Sequence, residues 1–225
     1  MRIPAALATW IAIPALTLAS LAWAQEPPSQ KSSTLNPFDY PQPASAPREL
    51  MAVIEIPQGG INKYEIDHDS GLLILNRVLT MPAAYPANYG AFPQTSAGDG
   101  DPLDLVLFTR APVQAGALVL VRPIGVLRML DAGEQDDKII CVPAHSVDPT
   151  YDAIEALENL PQAERDRLET FFRIYKDLPH GSKKVELKGF GDADEARSTI
   201  RQALVAGAER GSDPGASKQI SFDKK

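Results

Sequence analysis

The chain has 225 residues, of which 44% are hydrophobic, and a formal net charge of −7. This length and composition fit one globular domain with a sizeable core. The acidic balance argues against nucleic acid as the main partner, because surfaces that bind nucleic acid are basic. Cys141 is the one cysteine and lies in an apolar run, so an internal disulfide is excluded and we expect a buried thiol in a strand.

The first 24 residues have the pattern of a secretion signal. Arg2 gives a positive start, residues 3–21 are largely apolar, and Ala22-Trp23-Ala24 is a small-residue cleavage site before Gln25. We therefore expect export to the periplasm or to the outside of the cell, with no stable membrane anchor after cleavage. An uncleaved anchor is the alternative, which the two prolines in the apolar stretch and its small-residue end disfavour.

The remaining chain divides by composition into three parts. Residues 25–48 are rich in proline, serine and glutamine and carry no apolar period, which is typical of an extended linker. Residues 49–210 are expected to form the folded domain. The polar stretch 211–225 is expected to be a disordered tail.

The domain is predicted to be mainly β with flanking helices. Apolar and β-branched runs between turn residues predict strands over 51–56, 62–66, 72–79, 103–108, 117–130, 138–142 and 184–187. The hairpin spacing of the turns predicts an antiparallel barrel. A helix is predicted over 161–177, with an apolar face of Leu168, Phe171, Phe172 and Tyr175. A second helix is predicted after Asp192, which has capping-box spacing to Glu195.

The most informative stretch is Asp99-Gly100-Asp101-Pro102-Leu103-Asp104, where three carboxylates precede an apolar strand. Like charges at this spacing repel one another unless a cation neutralises them, and Mg²⁺ and Mn²⁺ prefer oxygen ligands. The stretch therefore predicts a divalent-cation site at a strand entry, and a solvated acidic turn is the ordinary alternative. An EF-hand calcium loop is excluded, because counting from Asp99 puts Leu103 and Arg110 at ligand positions.

Further charged side chains are predicted to join this site. Lys63 and Glu65 are two residues apart on a predicted strand, so they share a face. Asp131 and Asp136 bracket a short hairpin loop and are expected side by side at its neck, with Lys138 facing the same way as Asp136. Two more candidates stand at the end of the first helix: Tyr175 and Lys176.

These motifs together closely resemble the family I soluble inorganic pyrophosphatases of the bacterial type. The family signature Asp-x-Asp-Pro-x-Asp is met by Asp99, Asp101, Pro102 and Asp104. The other matching positions stand in the family's order from about residue 52 to 210: Val53-Ile54-Glu55-Ile56-Pro57, Lys63-Tyr64-Glu65, Arg77, Tyr85-Pro86-Ala87-Asn88-Tyr89-Gly90, Arg122-Pro123-Ile124-Gly125-Val126, Asp131, Asp136, Lys138 and Tyr175-Lys176.

The resemblance implies a closed five-stranded OB-like antiparallel barrel with two C-terminal α-helices, assembled as a homohexamer. It implies Mg²⁺-dependent hydrolysis of pyrophosphate to two phosphates by direct attack of a metal-activated water, with Mn²⁺ or Zn²⁺ as alternative metals. Asp104 would bridge two metal ions and Asp101 would accept a proton from the attacking water. The remaining implied metal ligands are Asp99, Asp131 and Asp136. The implied phosphate-binding residues are Lys63, Arg77, Tyr89 and Tyr175, with Lys138 and Lys176 beside them. The implied outer residues are Glu55, Glu65 and Tyr85.

Two positions depart from the family pattern. An acid commonly follows the residue matched by Asp131, where this chain has Ala132, and an aspartate commonly precedes Arg77, where it has Asn76. Two other function classes stay open. A catalytically silent metal- or phosphate-binding module is disfavoured, because Asp101 and the phosphate-binding cations are all present. A phosphohydrolase that acts on nucleotides or polyphosphate is the second alternative. An assay of these substrates beside pyrophosphate would distinguish it from a pyrophosphatase.

Overall fold

The computed structural model of the chain describes residues 36–178 and 184–211. The predicted secretion signal, the first part of the predicted linker and residues 212–225 of the predicted tail lie outside the described residues. The described part is mainly β sheet with two α-helices, as the sequence predicts. No helix within it is long and apolar enough to cross a membrane.

The described strands and helices follow the predicted order. The strands are β1 Leu50–Ile56, β2 Asn62–Ile66, β3 Leu73–Val78, β4 Asn88–Ala91, β5 Asp104–Leu107, β6 Leu118–Asp131, β7 Glu134–Gln135, β8 Lys138–Pro143 and β9 Val185–Gly191. The helices are α1 Gln162–Ile174 and α2 Ala193–Gly211. The sequence pattern missed β4 and β7, which are four and two residues long.

Seven of these strands form one sheet, and β2 and β3 form a separate hairpin. Within the large sheet, β1 pairs with both β4 and β6, and the pairings β4–β5, β5–β8 and β8–β6 complete a cycle of strands. Both β7 and β9 pair with β6. Gly90 permits the close approach of β4 to β1, because a Cβ there would lie 1.9 Å from the Val53 carbonyl oxygen.

The pairing of β5 with β8 is parallel, and the prediction of an antiparallel arrangement throughout is wrong at this point. The reason is geometric. Each antiparallel pairing reverses the strand direction, so a cycle with an odd number of strands needs at least one parallel pair. The turns visible in the sequence report only on strands that follow one another, and β5 and β8 are separated by β6 and β7.

Two hydrophobic clusters lie against the sheet. Val106 and Ile140 pack in the cluster that receives Leu168 and Phe172 of α1, so the predicted apolar face of that helix is buried. The second cluster receives Ile200 of α2 and contains strand residues on the other side. Cys141 is fully buried in this second cluster, as expected. At the start of α2, the Glu195 amide donates to Asp192 Oδ1 at 2.8 Å, which is one half of the predicted capping box.

Residues 36–48, the second part of the predicted linker, differ from a free linker because they contact the domain. They begin with a 3-10 helix, Pro37–Asp39, whose Phe38 amide donates to Asn36 Oδ1. The Gln42 side chain then bonds to the backbone of Met51 in β1. We call residues 36–48 the N-terminal arm.

Candidate active site

The centre of the candidate site joins three neighbouring strands. Asp104 begins β5, Tyr89 lies in β4, and Lys138 begins β8. The Lys138 ammonium donates to Asp104 Oδ2 at 2.5 Å and also to Asp136 Oδ1. The Tyr89 hydroxyl donates to the same Asp104 oxygen at 2.5 Å. The structure therefore brings these predicted residues into direct contact, and Asp104 is the carboxylate on which the contacts converge.

The charged groups of this centre are largely buried, so water has limited access to them. The Lys138 side chain is only 1% exposed, whereas the carboxylates of Asp104 and Asp136 are about one-quarter and one-fifth exposed. Burial opposes the charge of Lys138, but the carboxylates of Asp104 and Asp136 outweigh it and raise the pKa of the ammonium. Burial, together with the like charge of Asp104, raises the pKa of Asp136 against the attraction of Lys138.

A second ion pair joins the end of α1 to the sheet. Lys176 donates to Asp131 Oδ2, and burial lowers the pKa of Lys176 although Asp131 opposes this shift. The other oxygen, Asp131 Oδ1, is buried and accepts no hydrogen bond from any described residue. In the β6–β7 hairpin Asp131 lies opposite Glu134 and not opposite Asp136, although the charges of both predicted acids act on Lys176.

An aromatic cluster holds the predicted phenols in place. Tyr85 contacts Tyr89 and Phe171, with ring centroids 5.4 and 4.7 Å apart. Tyr175 stacks on Phe171 at 5.4 Å and meets Phe172 edge to face. Burial is the main reason that the pKa values of all three tyrosines are raised. The phenols are therefore protonated near neutral pH, and that of Tyr89 donates its proton to Asp104.

The β2–β3 hairpin carries the remaining predicted cations. Lys63 pairs with Glu65, as their shared strand face predicts, and Lys63 lies across from Arg77 in the register. Asn76 Nδ2 donates to Glu65 Oε2 at 2.8 Å. An aspartate at position 76 would instead face the Glu65 carboxylate as a like charge, so the departure from the family pattern has a structural consequence.

Arg77 and Glu55 link the hairpin to the rest of the site. The positive charge of Arg77 acts on the phenols of Tyr85 and Tyr175. Glu55 is buried in β1, and its Oε1 accepts a 2.8 Å hydrogen bond from the Ile66 amide. Burial raises the pKa of Glu55 to about 8, although this hydrogen bond opposes the shift.

The other two acids of the signature stand on the turn before β5. Asp99 and Asp101 are both exposed, and Gly100 between them has φ +90°, a conformation that glycine adopts without strain. Asp99 Oδ1 accepts a hydrogen bond from the Asp101 amide at 3.0 Å. Among residues 36–178 and 184–211, no three acidic, histidine or cysteine side chains form a ready-made metal-binding group. Three of the predicted acids, Asp104, Asp131 and Asp136, are instead paired with the ammonium groups of Lys138 and Lys176.

One functional position had no role assigned from sequence. Asn88 is fully buried beside Tyr89, and its Oδ1 accepts from the amides of Gln58 and Val113 at 3.0 and 2.8 Å. Its Nδ2 donates to the Leu107 carbonyl at 3.1 Å. Asn88 thus fixes β4, and with it Tyr89, against β5. A buried asparagine is recognisable only once its neighbours are known, so the sequence carries no direct signal for this role.

A family model described as inorganic pyrophosphatase matches residues 52–206. The chain belongs to the inorganic pyrophosphatase family. It is 45% identical over 160 residues to an inorganic pyrophosphatase of Gluconobacter oxydans, a match that covers 71% of this chain and 92% of the relative. It is 40% identical over 166 residues to an inorganic pyrophosphatase of Aquifex pyrophilus, covering 74% of this chain and 93% of the relative.

Solved pyrophosphatase structures share the fold. The inorganic pyrophosphatase of Thermus thermophilus aligns with a TM-score of 0.73 at 36% identity, covering 77% of this chain and 99% of that one. The inorganic pyrophosphatase of Helicobacter pylori aligns with a TM-score of 0.69 at 38% identity, covering 71% of this chain and 94% of that one. The pyrophosphatase domain therefore accounts for nearly the full length of these solved chains, and the N-terminal arm precedes the matched family model.

Proposed function

We propose that this pyrophosphatase hydrolyses inorganic pyrophosphate to two orthophosphates with Mg²⁺ as its metal. The carrying observation is the convergence of Asp104, Asp136, Lys138 and Tyr89 in a chain of this family. Pyrophosphate is a polyanion, and the chain itself has a net charge of −7. Cations are therefore needed to bring the two together, and the site combines protein cations with carboxylates that suit metal ions.

The acids of the site fit a hard divalent cation. Asp131 keeps a buried carboxylate oxygen without a hydrogen-bond partner among the described residues, and burial holds the pKa of Asp136 above its usual value. A bound cation would relieve both features, because it would supply positive charge to these carboxylates. Asp99, Asp131 and Asp136 would each hold a metal ion, and Asp104 would serve two of them. Bound divalent cations supply Lewis acidity, which lowers the pKa of water and neutralises phosphate charge.

Side chains of the protein accept the proton and bind the substrate. Asp101 is exposed at the strand entry and is assigned as the acceptor of a proton from the attacking water. Lys63, Arg77, Lys138 and Lys176 offset the charge of the two phosphoryl groups, which grows on the leaving phosphate as the bond breaks. The Tyr89 phenol donates to Asp104, and the protonated phenols of Tyr89 and Tyr175 would donate hydrogen bonds to the phosphates. Glu55, Glu65 and Tyr85 support these groups from outside.

The decisive experiment is a substrate and metal panel. The chain from residue 25 onwards would be assayed for phosphate release from pyrophosphate, tripolyphosphate and ATP, each with Mg²⁺, Mn²⁺ or Zn²⁺. We expect the highest kcat/KM for pyrophosphate with Mg²⁺. A preference for ATP or tripolyphosphate would favour a broader phosphohydrolase, and no hydrolysis despite phosphate binding would favour a silent binding module. Lys188→Met changes an exposed lysine outside the site, so its preferences for substrate and metal should equal those of the wild type.

The finer features of the fold and assembly belong to the same proposal. The cycle of strand pairings supports a closed five-stranded OB-like barrel. The β2–β3 hairpin and the residues next to its strands expose several large apolar side chains, which supports a homo-oligomer, and we propose the hexamer that the family resemblance implies. The group consists of Ile61, Leu72, Leu73, Leu75 and Val78. Light scattering on the chain from residue 25 onwards tests this; a monomer would contradict it.

We also propose export with cleavage after Ala24. The support is the positive start, apolar stretch and small-residue exit of the first 24 residues. N-terminal sequencing of the protein from the periplasmic or extracellular fraction should begin at Gln25. Recovery of an intact Met1 in the membrane fraction would favour an uncleaved anchor.

A further inference from the structure

We propose that the N-terminal arm clamps the β2–β3 hairpin in its catalytic position, with Phe38 as the positioning residue. The proposal rests on the pyrophosphatase site described above, because the hairpin carries Lys63 and Arg77. Phe38 acts through His68, which lies in the turn that joins β2 to β3.

The arm is first fixed to the large sheet. Gln42 bonds to Met51 in the manner of a paired strand residue: its Oε1 accepts from the Met51 amide and its Nε2 donates to the Met51 carbonyl, both at 2.9 Å. Nε2 also donates to the Pro93 carbonyl at 2.9 Å. The Gln94 amide then donates to the Phe38 carbonyl at 3.2 Å. The backbone of Phe38 is therefore tied to the loop that follows β4.

From this base the arm reaches the hairpin turn. The Phe38 ring stacks on the His68 ring with centroids 4.8 Å apart and planes 18° from parallel. Asn36 Nδ2 donates to the His68 carbonyl at 2.6 Å, while Asn36 Oδ1 accepts from the Phe38 amide at 3.0 Å. One asparagine thus orders the start of the arm and grips the turn at the same time. The ring and the backbone of His68 are both held.

Hydrogen bonds within the turn couple the contacts of His68 to the two strands. Asp67 Oδ2 accepts from the amide and the hydroxyl of Ser70 at 3.1 and 2.5 Å. The Asp67 amide donates to the Leu72 carbonyl at 2.9 Å, which closes the turn onto β3. Lys63 lies five residues before His68, roughly 16 Å away along an extended strand. A displacement of the turn therefore moves the strand face that carries the substrate-binding cations.

The hairpin needs such support, because two-stranded hairpins are marginally stable alone. Within the described residues, β2 and β3 pair only with each other, and the large sheet offers them no strand partner. The hydrogen bond from the Ile66 amide to Glu55 ties the end of β2 to β1, and the stack of Phe38 on His68 holds the turn two residues further along. The N-terminal arm lies before the matched family model, which begins at residue 52.

The test compares Phe38→Ala with Tyr40→Ala in the full chain as purified. Tyr40 lies two residues further along the arm and is 45% exposed, so it is the matched control. Loss of a stacked pair should raise KM for pyrophosphate by about threefold to tenfold with a smaller change in kcat, and speed amide exchange of Asn62–Ile66 and Leu73–Val78 by a similar factor. Phe38→Tyr keeps the stacked ring and should restore both values, and Tyr40→Ala should leave both unchanged.

A double-mutant cycle with His68→Ala separates the clamp from a general loss of stability. If the stack carries the effect, Phe38→Ala adds little to His68→Ala in either measurement. Unchanged hairpin exchange in Phe38→Ala would overturn the clamp, whatever the activity. Faster hairpin exchange with an unchanged KM would overturn its role in positioning, and equally faster exchange in β8 would show a merely structural role. The exchange data remain readable even if the substrate were not pyrophosphate.

Discussion

Lys138 is predicted to replace part of the charge that metal ions supply to this site. Its ammonium lies between Asp104 and Asp136 at 1% exposure, and the Tyr89 hydroxyl also donates to Asp104. Lys138→Met keeps the aliphatic stem and removes the charge. In metal-free protein this leaves two facing carboxylates without their shared cation.

The size of the effect follows from the burial of the partners. Removal of one member of a fully buried ion pair costs about 3–5 kcal/mol. The two carboxylates keep 25% and 20% of their side-chain exposure, so water offsets part of this loss. We expect the free energy of unfolding in a chelator to fall by about 2–3 kcal/mol, which for a domain of this size lowers Tm by roughly 5–10 °C.

The assay is thermal unfolding at pH 7 in a chelator and again in excess Mg²⁺. We expect Mg²⁺ to stabilise Lys138→Met more than the wild type, because cations bind the exposed acids of the variant. Lys188→Met is the control, since that lysine is 50% exposed in its 3.0 Å pair with Glu186, and its Tm should stay close to wild type. An unchanged Tm of Lys138→Met in the chelator, or an equal response of both proteins to Mg²⁺, would refute the reasoning.

Three further predictions concern neighbouring positions. Asp104→Asn should lower kcat more than Asp99→Asn and raise the Mg²⁺ requirement more, because a bridging ligand serves two ions; near-normal activity in Asp104→Asn would exclude bridging. The pKa of the buried Glu55 carboxyl is about 8, so the folded protein retains a proton that unfolding releases. In a chelator, the free energy of unfolding of the wild type should therefore fall by about 1.4 kcal/mol per pH unit relative to that of Glu55→Gln between pH 5 and about 8. Stability curves that run parallel would contradict this. Ala132→Asn should raise Tm by about 2–4 °C, because Ala132 has φ +53° in a two-residue hairpin turn that favours asparagine; a lower Tm would contradict it.

Much of the fold could be predicted from local sequence patterns. Strand β2 was predicted at its observed bounds, because alternating side chains and flanking turns are both visible in five residues. Helix α1 was predicted from the spacing of its apolar face, and the structure buries that face. Strand β4 was missed because Asn88–Ala91 is short and has little alternation, and it extends only by pairing with β1 and β5.

The contacts of the candidate site also include some that are local in the sequence and some that are not. The Lys63–Glu65 pair is local, so strand geometry alone predicts it. The contacts of Lys138 with Asp104 and of Lys176 with Asp131 span 34 and 45 residues, and they depend on strand pairings that no local pattern contains. The docking of the N-terminal arm is hidden for another reason. A proline-rich composition indicates an extended chain but does not tell whether that chain lies on a surface.

The most direct test of the central claim is the rate of phosphate release from pyrophosphate by Asp101→Asn, measured beside the wild type at saturating Mg²⁺. This substitution keeps the shape of the side chain and removes its basicity. If Asp101 accepts the proton, kcat should fall by about 10²–10⁴-fold while KM changes much less. Full kcat in Asp101→Asn with an unchanged pH profile would contradict the assignment of the base, and absence of hydrolysis by the wild type would contradict the pyrophosphatase proposal itself.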